Sequence, residues 1–245
     1  MSRGRTASAP VAPVVFQAVA LLLAYPDRDW SRRPRTVRET VAALPGPEIP
    51  LLLSFCDQAE REDPLALAAR YVATFDRSRR RCLYLTYYTD GDTRRRGAAL
   101  ARIKSAYRAH GWLPPDDELP DFLPLMLEFA ARTPDAGTAL LTDHRAAIEV
   151  LRYALEAHHS SYAVLLQAVS RCLPGQAPAS REEALRLART GPPAEAVGLD
   201  APGALPAQSG QPRPYGQPEP YGRSGPYAQS GPHGRSGPHD EGVRR

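Results

Sequence analysis

The organisation of this chain follows from three neighbouring stretches: DPLALAARYVATFD at residues 63–76, LYLTYYTDGDTRRRG at 83–97 and ELPDFLP at 118–124. Aromatic residues, acids, arginines and prolines alternate here more densely than a plain helical scaffold needs. The segments on both sides have the apolar spacing of amphipathic helices. The flanking segments therefore predict the scaffold, and the three stretches predict where its functional residues lie.

Apolar residues recur at helical spacing along most of the chain. The predicted helices cover about 14–24, 36–44, 48–61, 64–75, 93–110, 124–132, 136–157, 161–173 and 181–189. Residues 83–88 alternate like a strand, but no second strand candidate accompanies them, and a lone strand cannot bury its edges. We expect an irregular segment or a short helix there. The predicted fold class is therefore all-α, a single-domain helical bundle over residues 13–190.

Both ends of the chain differ from this body. Residues 1–12 are predicted to be flexible, and the apolar run that follows is shorter than the roughly 20 residues that span a bilayer. We expect a buried first helix, no stable membrane insertion and a cytoplasmic location. Residues 191–245 contain a hexapeptide repeat in which each proline is followed by Tyr or His, and the segment is rich in Gly, Ser and Gln. Such a segment has too little aliphatic surface to offset its ordering entropy, which predicts disorder.

The charge and cysteine content exclude several classes of protein. The formal net charge of +4 belongs to the body, because arginines and acids balance in the tail, and so mild an excess does not require nucleic acid as a partner. Cys56, Cys82 and Cys172 are widely spaced, which favours buried thiols over a metal site or a disulfide framework.

No sequence motif of an enzyme is present, whether phosphate-binding, nucleophile-elbow or zinc-protease. Asp90, Asp92, Glu118 and Asp121 are better explained by turn and helix-start chemistry than by a paired-carboxylate site. His144 lies on an apolar stripe, which favours a core or interface histidine over a metal ligand. We therefore predict no catalytic residue, no cofactor and no metal.

Two basic clusters flank the aromatic stretch, at Arg77 with residues 79–81 and at residues 94–96. Basic charge beside aromatic rings is also what a nucleic-acid site combines. A helical nucleic-acid-binding or regulatory protein that uses these clusters is therefore the alternative hypothesis. A solvated face is favoured over it by the mild charge, and an apolar groove with a charged rim would instead accept a peptide helix.

Taken in order, the motifs resemble one family. They include GDTR at 91–94, RG at 96–97, HG at 110–111, ELPDFLP at 118–124, LEF at 127–129 and SYAVL at 161–165. This succession, spread over residues 14–173, is similar to the assembly chaperones of respiratory nitrate reductase, the NarJ family. These belong to the redox-enzyme maturation chaperones, which also include the TorD-like proteins.

The resemblance implies an all-helical maturation chaperone that is neither an enzyme nor part of the final membrane complex. Such a chaperone binds the apo catalytic α subunit of nitrate reductase at its N-terminal segment, a remnant of a twin-arginine leader, and at a second region. It keeps the α subunit competent for molybdenum cofactor insertion and delays membrane docking. Proteins of molybdenum cofactor biosynthesis become candidate partners.

The client segment would place its apolar face against rings and leucines, and its basic residues against acids at the rim. The residues predicted to contact it are Tyr71, Phe75, Tyr84, Tyr87, Tyr88, Asp92, Arg94, Glu118, Leu119, Pro120, Asp121 and Phe122. The tail is not part of the family pattern, and the resemblance assigns it no role.

Overall fold

The computed structural model describes residues 11–91 and 93–190, and the structural statements below refer to those residues. Asp92 and the tail from residue 191, with its predicted disorder, lie outside this part of the chain. Val11 and Ala12, which we predicted to belong to a flexible N-terminus, already lie in the first helix.

The described residues contain eleven α-helices and no strand, which confirms the all-α fold class. None of these helices is both long and apolar enough to cross a membrane. They are α1 (Val11–Leu23), α2 (Arg32–Val41), α3 (Ile49–Arg61), α4 (Pro64–Tyr71), α5 (Thr86–Asp90), α6 (Arg94–Ala109), α7 (Leu123–Arg132), α8 (Pro134–Asp143), α9 (Arg145–Ala157), α10 (Ala163–Cys172) and α11 (Arg181–Thr190).

Helix α1 lies at the centre of the core, where it packs against α7 and α10. Its apolar residues cover most of its circumference, which favours burial on several sides. Val15, Phe16 and Val19 are completely buried. Helices α7 and α8 also approach closely, because a Cβ added at Gly137 would lie 2.1 Å from the Cα of Ala130.

The start of α4 follows the sequence prediction. The carboxylate of Asp63 accepts hydrogen bonds from the N–H groups of Leu65 and Ala66, each at 3.0 Å, and proline occupies the first turn. The predicted helix does not stay regular to Phe75, however. After Tyr71 it continues as a π-helical turn, Val72–Asp76, which places Phe75 in the core.

The long helix predicted over residues 136–157 is wrong, because the chain forms two helices, α8 and α9, that meet at His144. The imidazole Nδ1 of His144 lies 2.9 Å from the carbonyl oxygen of Leu140, which is the acceptor that a continuous helix would offer to the N–H of residue 144. That N–H donates to Leu141 instead. The apolar stripe runs through both helices, so periodicity alone did not reveal the break.

Candidate functional site

The second and third stretches of the sequence meet in the structure. We call residues 83–88 and 118–122 the corner. An isolated antiparallel bridge joins Tyr84 and Phe122. The N–H of Leu85 donates to the carbonyl of Asp121 at 3.1 Å, and the N–H of Leu123 donates to that of Leu83 at 2.8 Å. The strand-like residues at 83–85 thus pair with residues 121–123, a partner segment that we did not find in the sequence. The predicted short helix is present as α5.

Asp121 is the buried centre of the corner, with no exposed surface. Its Oδ2 accepts hydrogen bonds from the N–H and the hydroxyl of Thr86, at 3.1 and 2.5 Å. The guanidinium of Arg96 lies 3.6 Å from the same oxygen, and its Nε donates to the Thr86 hydroxyl at 3.1 Å. Because these groups come from α5, α6 and residues 118–122, the carboxylate fixes three segments to one another.

The outer layer of the corner combines rings with a second carboxylate. The hydroxyl of Tyr84 donates to Oε1 of Glu118 at 3.1 Å, and the N–H of Leu119 donates to the same oxygen at 2.8 Å. The Tyr84 and Phe122 rings are 5.4 Å apart. Burial, followed by the charge of Glu118, raises the pKa of Tyr84 to about 12, so this hydroxyl stays a donor at neutral pH.

Four residues that we predicted to contact the client are buried. Tyr71 and Phe75 belong to an aromatic cluster with Tyr162, and the Tyr71 hydroxyl donates to the carbonyl of Leu23 at 3.0 Å. The buried residues in this set are Tyr71, Phe75, Pro120 and Asp121. The placement of Asp121 at an accessible rim is therefore wrong, because Thr86 and Arg96 occupy its carboxylate inside the fold.

The other predicted contact residues reach the surface to different extents. Tyr84, Tyr87, Tyr88, Glu118 and Phe122 are partly exposed, whereas Arg94 and Leu119 are exposed. We call these seven residues the client surface, because contact with a client is what we predicted for them. Asp92, which we also predicted as a contact, lies outside the described residues.

A second feature, which the sequence analysis missed, is a groove of about 650 Å³. Its walls include a face of α6, the junction of α8 and α9 and the end of α11, together with residues of α5 and of the segment 176–178. We call it the α6 groove. Its apolar lining consists mainly of Ala99, Ile103, Ala106, Leu140, Ala146, Leu187 and Ala188. No tyrosine, phenylalanine or tryptophan lines it in the described residues, where His144 supplies the one aromatic ring, so it is not the ring-lined groove that we expected.

The rim of the α6 groove is cationic. Arg95, Arg102 and Arg189 are exposed there, and none of them makes an ion pair or hydrogen bond in the part of the chain that the structure describes. Arg145 also lines the groove but donates to carbonyls at the end of α10, and burial lowers its pKa. The lining contains four arginines and two aspartates, which gives it an excess of two positive charges.

The described residues also bear on the predicted metal and cysteine chemistry. No group of three or more potential metal-ligating side chains occurs in residues 11–91 and 93–190. Burial raises the pKa of the Cys56 thiol to about 11 and that of Cys172 to about 12, so both are protonated and unreactive at neutral pH.

The helical arrangement identifies the fold first. It matches the crystal structure of a putative redox enzyme maturation protein from Archaeoglobus fulgidus with a TM-score of 0.54. The match has 22% sequence identity and covers 69% of this chain and 97% of that one. The fold is therefore that of the redox-enzyme maturation proteins, as the sequence resemblance implied.

The family follows from the sequence comparisons. The family model described as nitrate reductase delta subunit matches residues 43–167, just over half of the chain, and this chain belongs to that family. A probable nitrate reductase molybdenum cofactor assembly chaperone NarJ from Bacillus subtilis is 35% identical over 162 residues, which cover 65% of this chain and 88% of the relative. The resemblance that we found in the motifs is confirmed.

Another relative is longer. The nitrate reductase-like protein NarX of Mycobacterium tuberculosis is 44% identical over 159 residues, which cover 64% of this chain but only 24% of NarX. This chain thus spans about a quarter of the length of that relative. The aligned quarter supports a common domain, and the comparison does not extend to the rest of NarX.

Proposed function

We propose that this chain is an assembly chaperone that binds the apo catalytic α subunit of respiratory nitrate reductase through the subunit's N-terminal segment. It supports molybdenum cofactor insertion and complex assembly before the enzyme docks at the membrane. The observation that carries this proposal is the 35% identity to a protein named as such a chaperone, over 88% of that protein's length. The shared maturation-protein fold supports it.

The client surface is the place we propose for the N-terminal segment. Leu119 is 40% exposed and follows directly after Glu118, so an apolar side chain and a carboxylate stand together for an amphipathic, basic helix. The bridge and the buried Asp121 hold this surface in place before binding, which lowers the ordering cost. Burial of a few large side chains, at about 1.5–3 kcal/mol each, is enough for micromolar affinity after that cost.

This role requires binding and release, with no bond made or broken in the client. We therefore propose a protein that is not an enzyme and that works in the cytoplasm, where the α subunit is completed. Proteins of molybdenum cofactor biosynthesis are proposed as its further partners, because cofactor insertion takes place while the chaperone is bound.

The nucleic-acid alternative loses support from the geometry of the basic clusters. Arg81 donates from Nε to the carbonyl of Thr74 at 2.9 Å, and Arg96 pairs with buried Asp121. Both clusters therefore contribute arginines to holding the fold together. Arg81 and Arg96 thus have roles inside the fold that require no nucleic acid.

Calorimetry with a synthetic peptide of the α-subunit N-terminus tests the proposal. We expect saturable binding near one peptide per chain, and none with a scrambled peptide. Leu119→Ser and Tyr87→Ala should weaken binding about tenfold, since each removes one apolar contact. Leu65→Ser is the matched control, because Leu65 is exposed on α4 outside the client surface. No heat of binding with a folded chain would contradict the proposal.

A further inference from the structure

The α6 groove has a feature that the proposed function does not use. Helix α6 carries six basic residues and no acid along its 16 residues. Arginines in the first turn of a helix face the positive end of its dipole, which is unfavourable for the helix itself. The charge of Arg96 is explained by its pairing with Asp121, whereas Arg95 lies at the groove and pairs with no acid in residues 11–91 and 93–190. Helix stability therefore does not account for the charge of this wall.

The shape of the groove fits a helix. Arg95, Ala99, Arg102 and Ala106 recur along α6 at intervals of three and four residues, so one continuous face of the helix is turned to the groove. The lining face from Arg95 to Ala106 extends about 16 Å, which matches about three turns of a docked segment. The volume of about 650 Å³ and the aliphatic lining suit leucine-sized side chains.

The charge of the rim selects the occupant. Arg95 and Arg102 lie on α6 and Arg189 lies on α11, so a docked helix meets guanidinium groups from two separate elements of the lining. We propose that the α6 groove is a docking site for an amphipathic helix of a partner protein whose apolar face is flanked by aspartate or glutamate. A basic segment would be repelled here, so this site is separate from the client surface.

Nucleic acid fits the same positive charge less well. Single strands bind where basic residues alternate with aromatic rings on which bases stack. The described lining of the α6 groove offers mainly alanine, leucine and isoleucine side chains, and His144 supplies the one aromatic ring in it. This apolar lining would stay uncovered under a phosphate backbone, whereas the apolar face of a helix covers it.

Fluorescence anisotropy with the full chain tests this site. The probe is a labelled 14-residue helical peptide with leucines on one face and glutamates on both flanks, and its counterpart has lysines in place of the glutamates. We expect the acidic peptide to bind at least about tenfold more tightly than the lysine peptide. Arg102→Glu should weaken it about tenfold, because one attraction becomes a repulsion, and addition of salt should weaken it further.

The matched control is Arg108→Glu, the same charge change on the same helix at an exposed position that does not line the groove. This variant should bind the acidic peptide within about twofold of the wild type. Both variants should keep the helical circular dichroism and the binding of the α-subunit peptide, so a failure here is distinct from a failure of the proposed function.

Four binding results would overturn the proposal. They are no binding of the acidic peptide up to millimolar concentration, equal binding of the two peptides, equal weakening by Arg102→Glu and Arg108→Glu, and tighter binding of a single-stranded oligonucleotide than of the acidic peptide. A dimer of the chain that Arg102→Glu dissociates would also overturn it, because the groove would then be occupied by a second copy.

Discussion

Arg95 and Arg96 are neighbours in the sequence, yet they serve the two regions of this molecule differently. Arg96 turns toward the corner, where it meets Thr86 and the buried carboxylate of Asp121. Arg95 points about 100° away around the helix and lies at the α6 groove, where it has no ion pair or hydrogen bond among the described residues. Charges that are satisfied inside the fold hold it together, whereas unpaired charges beside apolar surface remain available for binding.

The largest effect should come from the carboxylate at the centre of the corner. Asp121→Ala removes the acceptor of both Thr86 hydrogen bonds and leaves Arg96 without its buried partner. We expect the free energy of unfolding to fall by about 3 kcal/mol in urea titrations followed by circular dichroism. Asp121→Asn keeps one oxygen acceptor and should cost less. A loss below about 1 kcal/mol for Asp121→Ala would mean that the corner is not a structural centre.

Substitutions at two glycines compare the packing around α8 with the packing around α6. Gly137→Ala on α8 should destabilise the fold by about 2 kcal/mol, since the new Cβ would collide with the backbone of Ala130. Gly97→Ala on α6 meets nothing within 4 Å and should instead stabilise by up to about 1 kcal/mol. Thermal unfolding of both variants measures the difference. Equal effects would show that α6 packs as tightly as α8.

Alkaline pH tests the core that supports both regions. Burial raises the pKa of Cys56 to about 11 and that of Tyr162 to about 12, above their ordinary values near 9 and 10. Because the pKa of each group is higher in the folded state, its contribution to the free energy of unfolding is complete below pH 9. That contribution is lost as the pH rises toward 12. Urea titrations at pH 8 and pH 11 should therefore show lower stability at the higher pH.

Tyr162→Phe refines this measurement. The Tyr162 hydroxyl is buried and makes no hydrogen bond in the described residues, so its removal should leave the stability at pH 8 unchanged or slightly higher. The same change should reduce the loss between pH 8 and pH 11. If Tyr162→Phe leaves the loss of stability between pH 8 and pH 11 unchanged, that loss comes from Cys56 and the other buried groups.

The smallest effect should come from the outer layer of the corner. Tyr84→Phe removes the hydrogen bond to Glu118 but keeps the ring beside Phe122. Because this hydroxyl is only partly buried, the expected cost is about 0.5–1 kcal/mol in urea titrations. A cost as large as that of Asp121→Ala would show that the outer layer is as structural as the buried one.

Periodicity and turn chemistry predicted the helices well, because apolar spacing and caps such as Asp63 are local properties. The break at His144 escaped prediction, since it depends on a side chain that takes a backbone acceptor. The motifs also led to the corner, but burial of Asp121 depends on how distant segments pack. The α6 groove was missed because its lining comes from segments that are far apart in the sequence, although Arg95, Ala99 and Arg102 already marked one face of α6.

The most direct test of the account is the molybdenum content of the nitrate reductase α subunit in host cells that lack this chain. We predict that the α subunit accumulates with little molybdenum, and that the wild-type chain restores the metal whereas a Leu119→Ser, Tyr87→Ala double variant restores less. A full molybdenum content of the α subunit in the absence of this chain would contradict the proposed function.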